Sequence, residues 1–367
     1  MLRIQEYTIS DLAQCLCPGH WFRGRPTPIS KQRALSHIHN PRAETNDVVL
    51  LVAYDSDEVV GHLGVLPDRI YVGLNQERLG WLTAWWANPD RKFAGVGLML
   101  LMRALKLYNG RLGASGFSDD ARRVYDATKR FVPIEDRHGM CGFARLNLGS
   151  LFRRRHPSLG KLRVALRMVD GAVNAHMHLR QLLWQKRHRM PHSCEVEYLT
   201  EVDQEAEEFI QRHSSEELTR RGARELNWIM RYPWIVCAPV APASSFHFSS
   251  QAERYSVHWA KIYMGGESLA AVLMLTVIDG HMIVPYCYHI GHARLLARLL
   301  CHILVQQRAE RLTIYRPELV EAISTLRFPW LKVIQKRRTW IGTRECAGLG
   351  TREFMMQDGD GDCAFSV

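Results

Sequence analysis

The chain has 367 residues, 47% hydrophobic and 23% charged, a globular composition long enough for two domains. No apolar run reaches the roughly 18 residues that a bilayer crossing needs, and "MLRIQEYTISDL" lacks the apolar core of a signal peptide, so a cytoplasmic protein is expected. The formal charge of +11 is uneven: Phe152 to Met190 hold ten Lys/Arg against one Asp, a net of +9, while Glu195 to Glu217 is acidic.

"LRIQEYT" reads as a first strand and "ISDLAQCL" as a short helix with a Ser or Asp cap. "DVVLLVAYDSDEVVGHLGVLPDRIYVG" reads as two strands turning at Asp55-Ser56-Asp57, and "RLGWLTAWWA" as a third. A helix is expected from about Gly97 to Tyr108, stopped by Asn109-Gly110. It is apolar on most faces, as a helix buried on a sheet would be. "LGASGF" is a strand, "SDDARRVYDATKRF" a helix capped by Ser118, and "MCGFARLNL" a closing strand.

The basic segment reads as an amphipathic helix, interrupted early by Pro157 and Gly160 and weakened by Gly171. From Val196 the pattern restarts: strand, helix, a helix ended by Pro233, then three strands turning at Gly265-Gly266 and Asp279-Gly280. A long helix, "HARLLARLLCHILVQQRAE", a strand, a helix and a last strand complete it. Both halves share one order of elements, which predicts a structural duplication of mixed α/β (α+β) class. The tail's Asp-Gly-Asp-Gly-Asp lacks the distal Glu of a calcium loop and reads as disorder.

Nine scattered cysteines give no disulfide framework, and reduced thiols are expected. "HIH" (His37, His39), "HMH" (His176, His178) and "HRMPHSC" lack acidic or cysteine partners at metal-ligand spacing, so no metal is expected.

The informative stretch is "ANPDRKFAGVGLMLLMRAL", Ala87 to Leu105. A helix N-terminus offers unpaired N–H groups and about half a positive charge, and glycines admit close approach. With Arg91 and Lys92 beside it, the loop suits a phosphate or pyrophosphate. A Walker loop is excluded by the missing G-K-[ST], and a dinucleotide fingerprint by the missing third glycine. Lys92-Phe93-Ala94-Gly95-Val96-Gly97 resembles the [QR]-x-x-G-x-[GA] acetyl-CoA signature of the GCN5-related N-acetyltransferases (GNAT), with Lys in place of Gln or Arg. Ala121 and Tyr125, four apart on the next helix, match that family's second motif.

The resemblance covers roughly residues 1–150 and implies two GNAT-like domains, each a mixed, mostly antiparallel sheet flanked by helices. The expected division is 1–150 for an acyl-CoA domain, 151–192 for a basic helical linker, 193–346 for a degenerate GNAT-like domain and 347–367 for a flexible tail. The degenerate half has Gly291 but no Gly-x-Gly. The resemblance also implies a mechanism. The CoA diphosphate would sit on the N–H groups of Phe93, Ala94, Gly95, Val96, Gly97 and Leu98, near Lys92 and Ser118. Pantetheine would pair along Trp85, Trp86 and Ala87. The Ala87 N–H would hold the oxyanion, an amine would attack directly, and Tyr125 would protonate the leaving thiolate. His62, Glu135 and Asp136 are the candidates for a general base.

The expected function is transfer of acetyl from acetyl-CoA to a small-molecule amine such as an amino-sugar or amino acid. A longer acyl donor, an aminoacyl-tRNA-dependent transferase and a non-catalytic CoA sensor or scaffold are the alternatives. Aromatic residues of "RELNWIMRYPW" and "VPYCYHI" are suited to an acceptor cleft or to the core. The segment 152–190 is read first as a solvated linker, with contact to nucleic acid or an anionic membrane as less favoured readings. The sequence leaves the oligomeric state open.

Overall fold

A computed structural model describes residues 1–22, 26–72, 75–148, 163–237, 246–266, 268–346 and 354–365. The first half runs β1 (Leu2–Thr8), α1 (Ile9–Cys15), α2 (Lys31–Ile38), β2 (Val48–Asp55), β3 (Glu58–Val72), β4 (Asn75–Ala87), α3 (Val96–Leu107), β5 (Leu112–Ser115), α4 (Asp119–Thr128) and β6 (Phe131–Phe143). The second runs α5 (Arg163–Arg187), β7 (Cys194–Leu199), α6 (Gln204–His213), α7 (Ala223–Arg231), β8 (Ile235–Cys237), β9 (Ser250–Ala252), β10 (Tyr255–Met264), β11 (Ser268–Ile278), β12 (His281–His289), α8 (Ala293–Gln306), β13 (Arg311–Ile314), α9 (Pro317–Thr325) and β14 (Lys332–Thr343).

Local chemistry explains many of the boundaries. Thr8 and Asp11 form a reciprocal capping box on α1. Ser118 caps α4, whose first turn carries Asp119 and Asp120. Asn109 and Gly110 adopt φ of 52° and 80° and stop α3.

The chain forms two compact units: unit 1 is Met1–Asp136, Glu201–Glu253 and Arg338–Val367, and unit 2 is Arg137–Thr200 and Arg254–Arg337. In unit 1, β1, β2, β3 and β4 are antiparallel neighbours, β5 joins β4 in parallel, and β14 joins β5 antiparallel through Trp340–Ser115, Ile341–Ala114 and Gly342–Gly113. An apolar core containing Leu51, Leu63, Val65, Leu100, Leu101 and Tyr125 joins α3 and α4 to this sheet. A second core, with Leu12, Ala34, Leu50 and Val52, joins α1 and α2 to it. In unit 2, β7, β10, β11 and β12 are antiparallel neighbours, β13 is parallel to β12, and β6 is antiparallel to β13. Its core carries α8 and α9.

The division differs from the expected one. The closing strands are exchanged: β6 of the first half pairs in unit 2, and β14 of the second half pairs in unit 1. The acidic helix α6 and the aromatic helix α7 also belong to unit 1 rather than to a C-terminal domain. A buried ion network explains the place of α7. Arg42 bonds Asp68 at 2.7 Å and Glu225 at 3.1 Å, and Arg221 bonds Asp68 at 2.7 Å and Asp360 at 3.4 Å. Buried charges need partners, and these come from three separated stretches of sequence.

The tail is a second correction. Residues 347–353, 366 and 367 lie outside the described residues, but Met356, Gln357, Asp360, Cys363 and Phe365 are buried. Asp360 accepts from Thr219 Oγ1 at 2.8 Å and from the Gln357 N–H at 2.8 Å. Gly361 has φ of 74°, and a Cβ there would meet Ser115 Oγ at 2.4 Å. The Asp/Gly alternation is a buried anchor, not a frayed end. A third correction concerns α3, which leaves Leu98, Met99 and Met102 nearly half exposed. Within the basic segment, α5 is helical through Gly171, while Pro157 and Gly160 lie outside the described residues.

Candidate active site

The site grows out of β4. Its register against β3 shifts between His62 and Gly64, so Ala84 and Trp85 both stand opposite Leu63. Ala84 takes φ of 49°, strained for a residue with a side chain, and such bulges re-aim strands beside functional sites. On the other side, β4 pairs with β5 only from Gly80–Leu112 to Leu82–Ala114. Beyond Leu82 the two strands part.

The Ala87 N–H faces that gap. The Asn88 N–H bonds the Val60 carbonyl at 2.9 Å, which makes Val60/Asn88 a hydrogen-bonded pair. Pairs alternate along an antiparallel ladder, so Gly61/Ala87 is a non-bonded pair and the Ala87 N–H turns away from β3. Trp85 and Ala87 pack with the α3 core, and Trp86 packs with the α1/α2 core.

At the end of the gap, a 3-10 turn at Arg91–Phe93 leads into α3. Gly95 is the N-cap of α3 with φ of 94°, and no side chain among the described residues caps the helix, so the first-turn N–H groups, including those of Gly97 and Leu98, are left for an outside acceptor. A Cβ at Gly97 would meet the Trp85 indole at 3.4 Å, so the loop lies against β4. One of the expected N–H groups is already engaged: Phe93 donates to the Asp90 carbonyl at 2.9 Å, and beside it the Lys92 N–H donates to Asp90 Oδ1 at 3.2 Å. The Lys92 ammonium lies 4.6 Å from the Phe93 ring centre. Ser118 Oγ accepts from the Ala121 N–H at 3.3 Å as the α4 cap.

Tyr125 reaches the same place from α4. Its ring is buried among Trp85, Phe117 and Phe131, with centroids 5.4, 5.5 and 4.6 Å away. Burial first, and the negative charge of Asp362 second, push its phenol well above the usual value, so it is a protonated donor at neutral pH.

Asp362 is the residue that sequence reasoning missed. Its carboxylate accepts from Thr83 Oγ1 at 2.8 Å and Ser115 Oγ at 2.9 Å. Those two residues are the first beyond the last β4–β5 pair, so the carboxylate straddles the strands where they part. Burial raises its pKa against the bonds from Thr83 and Ser115 and the charge of Arg33. Arg33, on α2, donates to Thr83 Oγ1 at 3.2 Å and to the Phe248 carbonyl at 3.3 Å. The only signal for Asp362 in the sequence was the acidic, glycine-spaced tail.

Of the three candidates for a base, two are engaged structurally. Glu135 Oε2 accepts the Met356 N–H at 3.0 Å, and Asp136 accepts from Thr339 Oγ1 at 3.1 Å. His62 is fully buried beside the β4 bulge and stacks on Trp86 at 5.4 Å. The aromatic residues of α7 and its sequel, Trp228 and Trp234, pack on Phe365 at 5.1 and 4.6 Å, whereas Tyr286 and Tyr288 are buried in β12 of unit 2. No metal-ligand cluster occurs among the described residues, and no described helix is long and apolar enough to cross a membrane.

No protein-family profile matches the sequence, and no curated protein matches it. Solved structures do match its fold. A GCN5-related N-acetyltransferase from Anabaena variabilis aligns with 93% of this chain and 72% of its own, at a TM-score of 0.51 and 10% identity. The chain has the GNAT fold. The N-myristoyltransferase of Saccharomyces cerevisiae, solved with bound myristoyl-CoA, aligns with 93% of this chain and 82% of its own at a TM-score of 0.49 and 8% identity. A GNAT protein from Kribbella flavida aligns with 93% and 71% at a TM-score of 0.46 and 11% identity.

Proposed function

We propose that the protein is an acyl-CoA-dependent N-acyltransferase whose site lies wholly in unit 1, with acetyl-CoA as donor and a small-molecule amine as acceptor. The observation that carries this reading is the parting of β4 from β5 after Leu82, with the Ala87 N–H turned into the gap and an uncapped helix N-terminus at its end.

The chain's residues divide the work. The first-turn N–H groups of α3 receive the diphosphate, and Lys92 supplies charge beside it. The freed edge of β4 at Trp85–Ala87 accepts the pantetheine amides as a further strand would. The Ala87 N–H holds the thioester oxygen as negative charge develops there. The amine attacks the carbonyl carbon directly; C–N forms, C–S breaks, and Tyr125 gives its proton to the leaving thiolate. Burial keeps the Tyr125 phenol protonated, so its proton is in place when the thiolate, far more basic than the thioester sulfur, begins to leave. Asp362 bridges Thr83 and Ser115 and so holds the gap at a fixed width.

Replacing the phenol tests this. Tyr125→Phe keeps the ring packing, so calorimetry should show unchanged acetyl-CoA affinity. Thiol release on amine addition should fall about 100-fold in kcat. Unchanged turnover would remove Tyr125 from the mechanism.

A further inference from the structure

The mechanism above leaves one proton without a destination, the one the amine loses on becoming an amide. We propose that His62 is the residue that takes it, through Nε2, and that the acceptor is an amine with an apolar or aromatic substituent, bound as its free base. The inference rests on the acyltransferase reading of the same site.

The geometry fixes the tautomer. His62 Nδ1 lies 3.0 Å from the Ala84 carbonyl, and a carbonyl oxygen only accepts, so Nδ1 carries the proton. Nε2 is then a bare lone pair. It is buried, in a residue 0% exposed, and has no hydrogen-bond partner among the described residues. A buried acceptor left without a donor is disfavoured unless something fills it. The anchoring carbonyl belongs to Ala84, the bulge residue that re-aims β4, so the imidazole and the Ala87 N–H are positioned by one irregularity.

The surroundings describe the ligand. His62 is ringed by Trp86 at 5.4 Å, Phe246 at 5.5 Å, Phe248 at 6.1 Å and His247 at 6.4 Å. Such walls favour a flat or apolar group and offer little to a polyhydroxylated sugar. Burial holds the imidazole down to about 4 against the Ala84 bond, with His247 and Arg33, the charged and titratable groups facing it, adding to the fall. A base this weak does not strip a free ammonium. It takes the proton after N–C bond formation has made the nitrogen acidic, so the acceptor must arrive as the free amine.

The step balances. The amine lone pair forms the C–N bond, the carbonyl electrons move onto the oxygen, and the nitrogen's proton passes to Nε2. Collapse re-forms the carbonyl and expels the thiolate, which takes the Tyr125 proton. Imidazolium and phenolate then return to their resting forms by exchange with solvent.

The test uses the full chain with acetyl-CoA, 2-phenylethylamine and glucosamine. Calorimetry comes first; a wild-type protein that binds no acetyl-CoA sinks the acyltransferase reading and this one with it. In 15N-histidine spectra, the His62 Nε2 resonance should be that of an unprotonated nitrogen and should move on addition of 2-phenylethylamine. A protonated Nε2, or one indifferent to both amines, overturns the proposal even if the variants fail to fold. His62→Gln should keep acetyl-CoA affinity within about twofold and lower kcat for 2-phenylethylamine about 100-fold. The wild-type rate should rise with pH through the amine's own pKa. Wild-type turnover by His62→Gln, with acetyl-CoA still bound, overturns the role of His62 while leaving the acyltransferase reading intact.

Discussion

Each unit contains a strand, a helix and a second strand parallel to the first, and the two versions diverge at one place. In unit 1 the link from β4 to α3 runs from Asn88 to Gly95, and β4 is free of β5 beyond Leu82. In unit 2 the link from β12 to α8 is only Ile290 to His292, and β12 leaves β13 after Ile283. There the carbonyl of Cys287, four residues past the last pair, accepts Arg316 Nη1 at 2.5 Å. Arg316 is held in turn by Glu318 at 2.5 Å. One fold element thus opens onto an uncapped helix N-terminus and the other is bridged by its own Arg316 side chain. A parallel crossover by itself is therefore no evidence of a CoA site; the loop and the unsatisfied strand edge are.

The comparison can be broken most forcefully through the anchor that completes unit 1. Asp360→Ala leaves Arg221 buried with one carboxylate partner fewer and should destabilise unit 1 by about 3–5 kcal/mol. Hydrogen exchange should show β4 and β5 losing protection while β11 and β12 keep theirs. Equal loss in both units would show that the tail supports the whole chain. Next in size, Gly97→Asp places a carboxylate against Trp85 at the helix N-terminus, where it competes with the diphosphate. It should weaken acetyl-CoA binding about 100-fold with little change in the unfolding midpoint. Smaller still, Arg316→Ala opens the gap in unit 2 at a cost of about 1–2 kcal/mol from its lost bonds. It should create no second CoA site, because the three-residue link offers no loop; a second site would mean that the closed gap alone had prevented binding.

The smallest effect is in acid stability. Burial holds His37 down to about 3 and His62 down to about 4, both in unit 1. Neutral histidine is the folded form, so their contribution is complete above the unfolded value near 6.5 and is lost as pH falls through it toward 4. In unit 2, His289 and Arg316 overcome the upward pull of burial and hold Glu318 down to about 2. Its contribution is present above about 4.5 and is lost as pH falls from there toward 2. Unit 1 should therefore weaken first on acidification, visible as a loss of tryptophan packing signals between about pH 6.5 and 4.5.

Much of unit 1 was legible because its signals are local. The turn at Asp55–Asp57, the Ser118 cap, the Asn109-Gly110 stop and the Gly-x-Gly loop each state their geometry within a few residues. Tyr125 was legible as a motif member, and its ring lies beside Trp85. The exchange of β6 and β14 was not legible, since either strand reads as a closing strand wherever it pairs. α2 carries its Ser30 cap in plain view, but in the sequence His37 and His39 were weighed only as metal ligands and rejected on spacing, and no helix was drawn there. Asp362 was hidden for a different reason. Asp and Gly in alternation are the composition of a solvated turn, and nothing local shows that Arg221, Thr219, Thr83 and Ser115 wait for them in unit 1.

The central claim is that unit 1 alone holds the acyl donor, and calorimetric titration of acetyl-CoA into the intact protein tests it most directly. One site per chain, lost in Gly97→Asp and retained in Arg316→Ala, is the predicted result. No binding, or a site that survives Gly97→Asp unchanged, would contradict it.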